Sequence, residues 1–380
     1  MKKFKLIPFL IIAFVLLAGV TGVVALSFLQ EGIEDNVLVT VSGTGDLGNI
    51  DGDADETRFA LPHGLCFDNN GNLIIFDTYN AGIKRSSDGS TETILGFSEA
   101  IDDFGFIMPG YFDGERADAL FGRPTDGVYS SDGDLFIVDS VNNAIRILRG
   151  DRVYTFAGGT QGHADGRRGN AGFDNPMAIA IDSNNNLYVT DTFNHTIRMI
   201  TPAGVVSTIA GSPGTRGYAD GSAGAALFND PSGIAVDNNG VIYVADTGNQ
   251  VIRKIENGNV TTIAGIADPP EDDEEYSPAG YEDGPADSAR FNSPHGLYRV
   301  NGVLLIADTG NHTIRALLAD GNVTTVAGSG TPGDAEGIQG EGMMNKPTGL
   351  VYRNGVLYIA DTLNNKIKAV LINVIGGEIA

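Results

Sequence analysis

Short apolar runs alternate with polar turns along almost the whole chain, and the same alternation returns six times. In the fourth return the runs are Gly233–Asp237, Val241–Ala245, Val251–Ile255 and Val260–Ala264. Each is rich in β-branched residues and bounded by Gly, Asn or Asp, which predicts four short strands. Asp237-Asn-Asn-Gly240 between the first two predicts a hairpin turn, because Asn and Gly tolerate positive φ. The six units are marked by Pro62, Pro124, Pro176, Pro231, Pro294 and Pro347, spaced 62, 52, 55, 63 and 53 residues apart. One four-stranded sheet cannot bury both of its faces alone, whereas sheets stacked around an axis can. The pattern therefore predicts an all-β, six-bladed β-propeller of four-stranded blades.

The sixth unit lacks a clear fourth strand after Lys366–Leu371. A matching strand, Val37-Leu-Val-Thr-Val-Ser-Gly43, stands instead at the front of the repeats. It is predicted to close the last blade as its outer strand and so remove the exposed edges of an open array. Ile372 to Ile375 is the competing choice.

Ahead of the repeats, MKKFK precedes an apolar run from Leu6 to Leu26. This reads as an export signal, with Val23-Val24-Ala25 as a small-residue cleavage site. Its 21 residues are also long enough to span a bilayer if left uncut. The expected organisation is a signal peptide or anchor over 1–26, a short linker over 27–36, and one propeller domain over 37–380. The expected location is extracytoplasmic, either secreted or held by the N-terminal segment.

Composition narrows the functional classes. Gly occurs 52 times in 380 residues, about twice ordinary usage, in keeping with many tight turns. Cys66 is the single cysteine, so no intrachain disulfide can form. The net charge of −24 argues against nucleic acid and against anionic lipid, and suits a monomer that attracts cations.

Within the repeat, Asp77, Asp139, Asp191, Asp246, Asp308 and Asp361 end the second strands, each seven residues before a Lys or Arg. A six-fold catalytic acid makes no sense. These are expected to be turn-capping carboxylates partly paired with the third strand's cation. The Asp-Gly segments are expected to form a turn and then seat Phe59, Phe121, Phe173, Phe228 and Phe291 between blades. The sixth lacks the Phe, which predicts a softer junction. His195 and His312 are expected to face solvent, and His163 to pack where other units carry Tyr.

The variable position of the Pro-x-Gly element is more informative. Reading round the ring it is His63, Thr125, Met177, Ser232, His295 and Thr348. These side chains are expected to converge at the mouth of the central channel, where a ligand touches several blades at once. His63 and His295 are candidate ligands for a divalent metal, Zn or Ca. Two longer connections, Phe97–Gly110 and Ala267–Gly280, are expected to overhang this mouth. The first offers Phe104, Phe106, Ile107 and Met108 to a partner. The second gathers Glu271, Asp272, Asp273, Glu274 and Glu275, oxygen ligands suited to weak Ca²⁺ binding.

Pro-His-Gly-Leu, Ala-Asp-Thr-Gly-Asn-His-Thr-Ile-Arg and Val-Thr-Thr-Val-Ala-Gly resemble the repeats of the NHL family of β-propellers, above all its exported bacterial members. The resemblance covers residues 37 to 371. It implies a six-bladed ring shared by scaffolds, binding proteins and a few enzymes. The peptide-amidating lyase resembles this family and carries its zinc on Pro-His elements of alternate blades. Here those positions are His63, Met177 and His295, and Met is a poor zinc ligand. The expected function is an exported, non-catalytic binding or scaffold propeller for an extracellular protein or small-molecule ligand. The alternative is a divalent-metal-dependent lyase or lactonase-type hydrolase centred on the two His.

Overall fold

A computed structural model describes residues 35–98, 100–102, 106–268 and 275–379. The signal segment lies outside these residues, as do Phe104 and Glu271 to Glu274. Among the described residues no helix is long and apolar enough to cross a membrane.

The β-branched runs pair as antiparallel meanders, and six such sheets form the six blades. In blade 4 the strands run outward from the axis as Pro231–Val236, Ile242–Asp246, Val251–Glu256 and Asn259–Ala264. Each blade gains one strand that the periodicity did not show. The two residues at the start of its Asp-Gly turn, Gly221–Ser222 in blade 4, pair with the fourth strand at the outer rim. They were legible as a turn, and two residues are too few to carry an alternation.

Blade 6 is closed by the N-terminal strand. Val37–Ser42 lies between Lys366–Leu371 and Gly337–Ile338, with Val39 opposite Ala369. The competing C-terminal segment forms its own small hairpin, Val374–Ile375 with Glu378–Ile379, and buries Ile372 and Val374 against the core shared by blades 5 and 6.

Apolar side chains of neighbouring blades interdigitate, as with Ile242 and Val244 of blade 4 against Ala178 and Ile197 of blade 3. The five Phe are sealed in these layers, each at most 1% exposed. Met344 takes the missing Phe's place, fully buried beside Leu38 and Ile314, so the sixth junction is filled.

The aspartates are caps in all six blades. Asp246 Oδ1 accepts the Asn229 backbone N–H at 2.8 Å, while Oδ2 accepts Asn249 Nδ2 at 2.8 Å and Arg253 Nη1 at 2.6 Å. Arg253 is completely buried between Asp246 and Asp220, with its guanidinium over Phe228. The ion pairs lie within a blade. A β-bulge opposite Ile252 and Arg253 shifts the register of the fourth strand beside that arginine.

Candidate functional site

The inner strands define the site, and glycine sets how closely they meet. A Cβ on Gly233 would lie 1.8 Å from His295 O, one on Gly296 2.0 Å from Thr348 O, and one on Gly349 2.1 Å from His63 O. In these blades Gly after x is needed for steric contact across blades, not for an unusual φ. A second ring of bonds lies beside it. Thr78, Thr192, Thr247, Thr309 and Thr362 each donate Oγ1–H to the Pro carbonyl of the next blade, Thr362 reaching Pro62 at 2.9 Å, while Ser140 of blade 2 donates to Asn175 Oδ1 instead. A third set of contacts comes from the left-handed residue after the 3₁₀ turn in blades 3 to 6. His195 Nδ1 accepts the Asp230 N–H at 3.2 Å and His312 Nδ1 accepts the Lys346 N–H at 3.1 Å. Asn365 Oδ1 does the same for Leu61. His195 and His312 are thus part-buried latches between blades, not solvent-facing side chains. Histidine serves there because its ring reaches the next blade while its backbone adopts φ near +55° and +58°. His163 is exposed, as are Tyr111, Tyr218 and Tyr281 at the same position, but those three rings lie against the guanidinium groups of Arg146, Arg253 and Arg315.

These rings enclose a channel cavity of about 320 Å³. Its walls are largely apolar, from Leu65, Ile179, Ile234, Leu297 and Leu350. His63, Met177, His295 and Thr348 line it at the Pro-x-Gly end. Thr125 and Ser232 sit in the same ring but are buried. Thr125 donates to Met177 O at 2.8 Å, and Ser232 bonds the Thr247 hydroxyl. Thr348 lines the cavity while donating to His63 O at 3.0 Å. Small hydroxyl residues so close to a neighbouring strand reach its carbonyls more readily than the axis.

The two imidazoles meet edge to face with ring centroids 4.6 Å apart, although blade 6 separates their blades. His63 Nδ1–H donates to Thr125 O at 3.1 Å, which leaves Nε2 with its lone pair. Burial lowers the His63 imidazole to about 4 and holds His295 well below its ordinary value, with the charge of His63 adding to the effect on His295. Both rings touch channel space, yet they sit too deep to be stabilised as cations. Among the described residues no group of three His, Cys, Asp or Glu is arranged to hold a metal ion. Two imidazoles fall short of the three protein ligands a catalytic zinc needs.

Cys66 and Asp126 also line the channel. The repeat carried a sign of Asp126. It occupies the position of Gly64, Gly233, Gly296 and Gly349, so a carboxylate replaces a residue chosen for having no side chain. Asp126 Oδ2 accepts the Ile179 N–H at 3.1 Å, bridging blades 2 and 3. At the far end Arg299 lies over the Tyr243 ring, 5.2 Å from its centroid.

The long connections are partly packed. Phe106 meets Tyr79 edge to face at 5.3 Å and Ile107 is buried, while Met108 is half exposed. The expectation of an exposed Phe106 and Ile107 is corrected, since Tyr79 and its Arg123 neighbour offer a local platform that sequence spacing does not reveal. Glu275 pairs with Arg216 at 2.7 Å.

The NHL repeat model matches residues 228–255 and 291–317. The chain is 29% identical over 279 residues to the Arabidopsis thaliana chloroplastic protein SUPPRESSOR OF QUENCHING 1, covering 70% of this chain and 26% of that protein. It is 37% identical over 277 residues to NHL repeat-containing protein 2 of Bos taurus, covering 62% of this chain and 36% of that one. The chain thus spans between about a quarter and a third of the length of these relatives. Among solved structures, an auxiliary nutrient binding protein from Bacteroides ovatus superposes with a TM-score of 0.63 at 17% identity, over 88% of this chain and 76% of that one. The chain carries NHL repeats, and it folds as a six-bladed all-β propeller.

Proposed function

We propose that this propeller is a non-catalytic binding protein that takes a small organic ligand into its central channel. The observation that carries this reading is the 320 Å³ cavity, whose apolar walls bear a few convergent polar groups. That volume lies at the lower end of what ligand pockets offer, about 300–1,000 Å³. The name of the Bacteroides ovatus neighbour is in keeping with a binding role on the same fold. The N-terminal MKKFK and its apolar run support action outside the cytoplasm.

The test is ligand-observed NMR with a panel of small polar and aromatic compounds, run on the wild type and on Met177→Trp, which fills the channel end. Binding that disappears in Met177→Trp is the expected result. Binding that persists there would move the ligand site to the outer loops and overturn this reading. A metal-dependent lyase or lactonase would instead show a stoichiometric divalent ion by mass spectrometry, lost on His63→Ala with His295→Ala.

A further inference from the structure

The channel holds one carboxylate without a cationic partner. Ion pairs answer the buried arginines of the blades, as Arg315 is answered by Asp308 and Asp283. Asp126 is different. It receives the Ile179 N–H, and no cationic side chain pairs with it among the described residues. Its placement is also unforced. Four blades put glycine at this position and blade 3 puts Ala178, so the fold does not call for a carboxyl there. The side chain is accommodated because Gly64 faces it: a Cβ on residue 64 would come within 2.6 Å of Asp126 Oδ1. The carboxyl faces a cavity whose other polar groups include two imidazoles and the Cys66 thiol.

We propose that the channel selects organic ligands bearing a protonated amine on an apolar body, with Asp126 as the carboxylate that receives the ammonium. This deepens the channel-binding reading and rests on it. An organic cation fits better than a metal ion, because the nearby His, Cys and Asp are not grouped as a coordination set. The walls of Leu65, Ile179 and Leu297 suit a hydrocarbon body. Burial pushes the Asp126 carboxyl up to about 7, and the Cys66 thiol is raised by burial and by the charges of Asp126 and Asp68. Unpaired at this depth the carboxylate is disfavoured, and an ammonium beside it favours its ionised form. The net charge of −24 draws cations toward the molecule.

Three probes of one shape test the idea: phenethylamine, neutral 2-phenylethanol and anionic 3-phenylpropanoate. Binding is measured by calorimetry and ligand-observed NMR at pH 8 on wild type, Asp126→Asn and Asp126→Gly. The glycine variant restores the residue that four other blades carry, so folding is safeguarded, and thermal melting verifies it. The expected result is amine binding at least ten-fold tighter than alcohol binding, no acid binding, and loss of the amine preference in both variants while alcohol binding stays. Equal binding of amine and alcohol to the wild type would overturn the proposal and leave the channel reading standing. So would a preference that survives in Asp126→Gly, or full displacement of the amine by millimolar Ca²⁺. Binding of none of the three probes, with an equally silent compound panel, would overturn both.

Discussion

At the scale of single residues, the buried ionisable groups divide into those the fold answers and those it leaves to the channel. Asp308 belongs to the first group. It accepts the Asn292 N–H at 2.8 Å, Asn311 Nδ2 at 2.8 Å and Arg315 Nη1 at 2.8 Å. Asp308→Ala leaves a fully buried guanidinium with Asp283, which is half exposed, as its one anionic partner beside the Arg290 and Glu282 carbonyls. The expected loss is about 3–5 kcal/mol in urea unfolding, as for other broken buried pairs. A loss below about 1 kcal/mol would show that Asp283 alone neutralises Arg315. His63 and His295 belong to the second group. An unfolded imidazole titrates near 6.5, whereas the folded His63 titrates at about 4. Between those values the folded protein binds fewer protons than the unfolded chain. Stability is therefore full above about pH 6.5 and falls as the pH drops toward 4. Replacing both residues by Gln is expected to remove on the order of 1–3 kcal/mol of that acid loss. Identical melting curves for wild type and variant from pH 7 to 4.5 would refute it.

At the scale of the element, the inner strand is set by two kinds of glycine. Gly233 has an ordinary φ but no room, since a Cβ would meet His295 O at 1.8 Å. Gly240 has ample room but φ of +80°, in the hairpin turn after Val236. Gly233→Ala must push two inner strands apart, which is expected to cost about 3 kcal/mol, at the upper end for overpacking. Gly240→Ala is expected to cost about 1 kcal/mol from strain alone. The reverse order in denaturant titrations would mean that the ring around the axis gives way easily.

At the scale of the whole molecule, stability depends on closing a circle. Val37–Ser42 supplies the missing strand of blade 6, Leu38 is buried there, and Gly43 passes against Phe59. The Thr362 to Pro62 bond joins positions 300 residues apart. A chain beginning at Thr44 leaves Lys366–Leu371 as a bare edge, which favours pairing with other copies. Size-exclusion chromatography is expected to show association of that truncated protein, and calorimetry a broadened transition at lower temperature. A monomer with an unchanged melting curve would show that closure by this strand is dispensable.

The repeat made the blades legible because burial on both faces of each sheet writes the same apolar periods into every unit. Its Asp, Phe and Pro positions were readable for the same reason, and so was the closing strand, since one unit lacked what the N-terminus offered. Departures from the repeat carried the rest only in part. Met177 and the two Pro-His elements stood out, whereas Asp126, a visible break in the Pro-x-Gly element of blade 2, gains meaning only from its place in the channel wall. That Thr125 and Ser232 turn to neighbouring carbonyls, that His195 and His312 latch blades, and that His63 reaches His295 depend on distances between blades. Those distances are fixed by glycine contacts and the volume of side chains packed between sheets, which no single unit of the sequence contains. Sequence determined the period and therefore the ring; only tertiary packing decided which side chains face the channel, because adjacent blades compete for the same polar atoms.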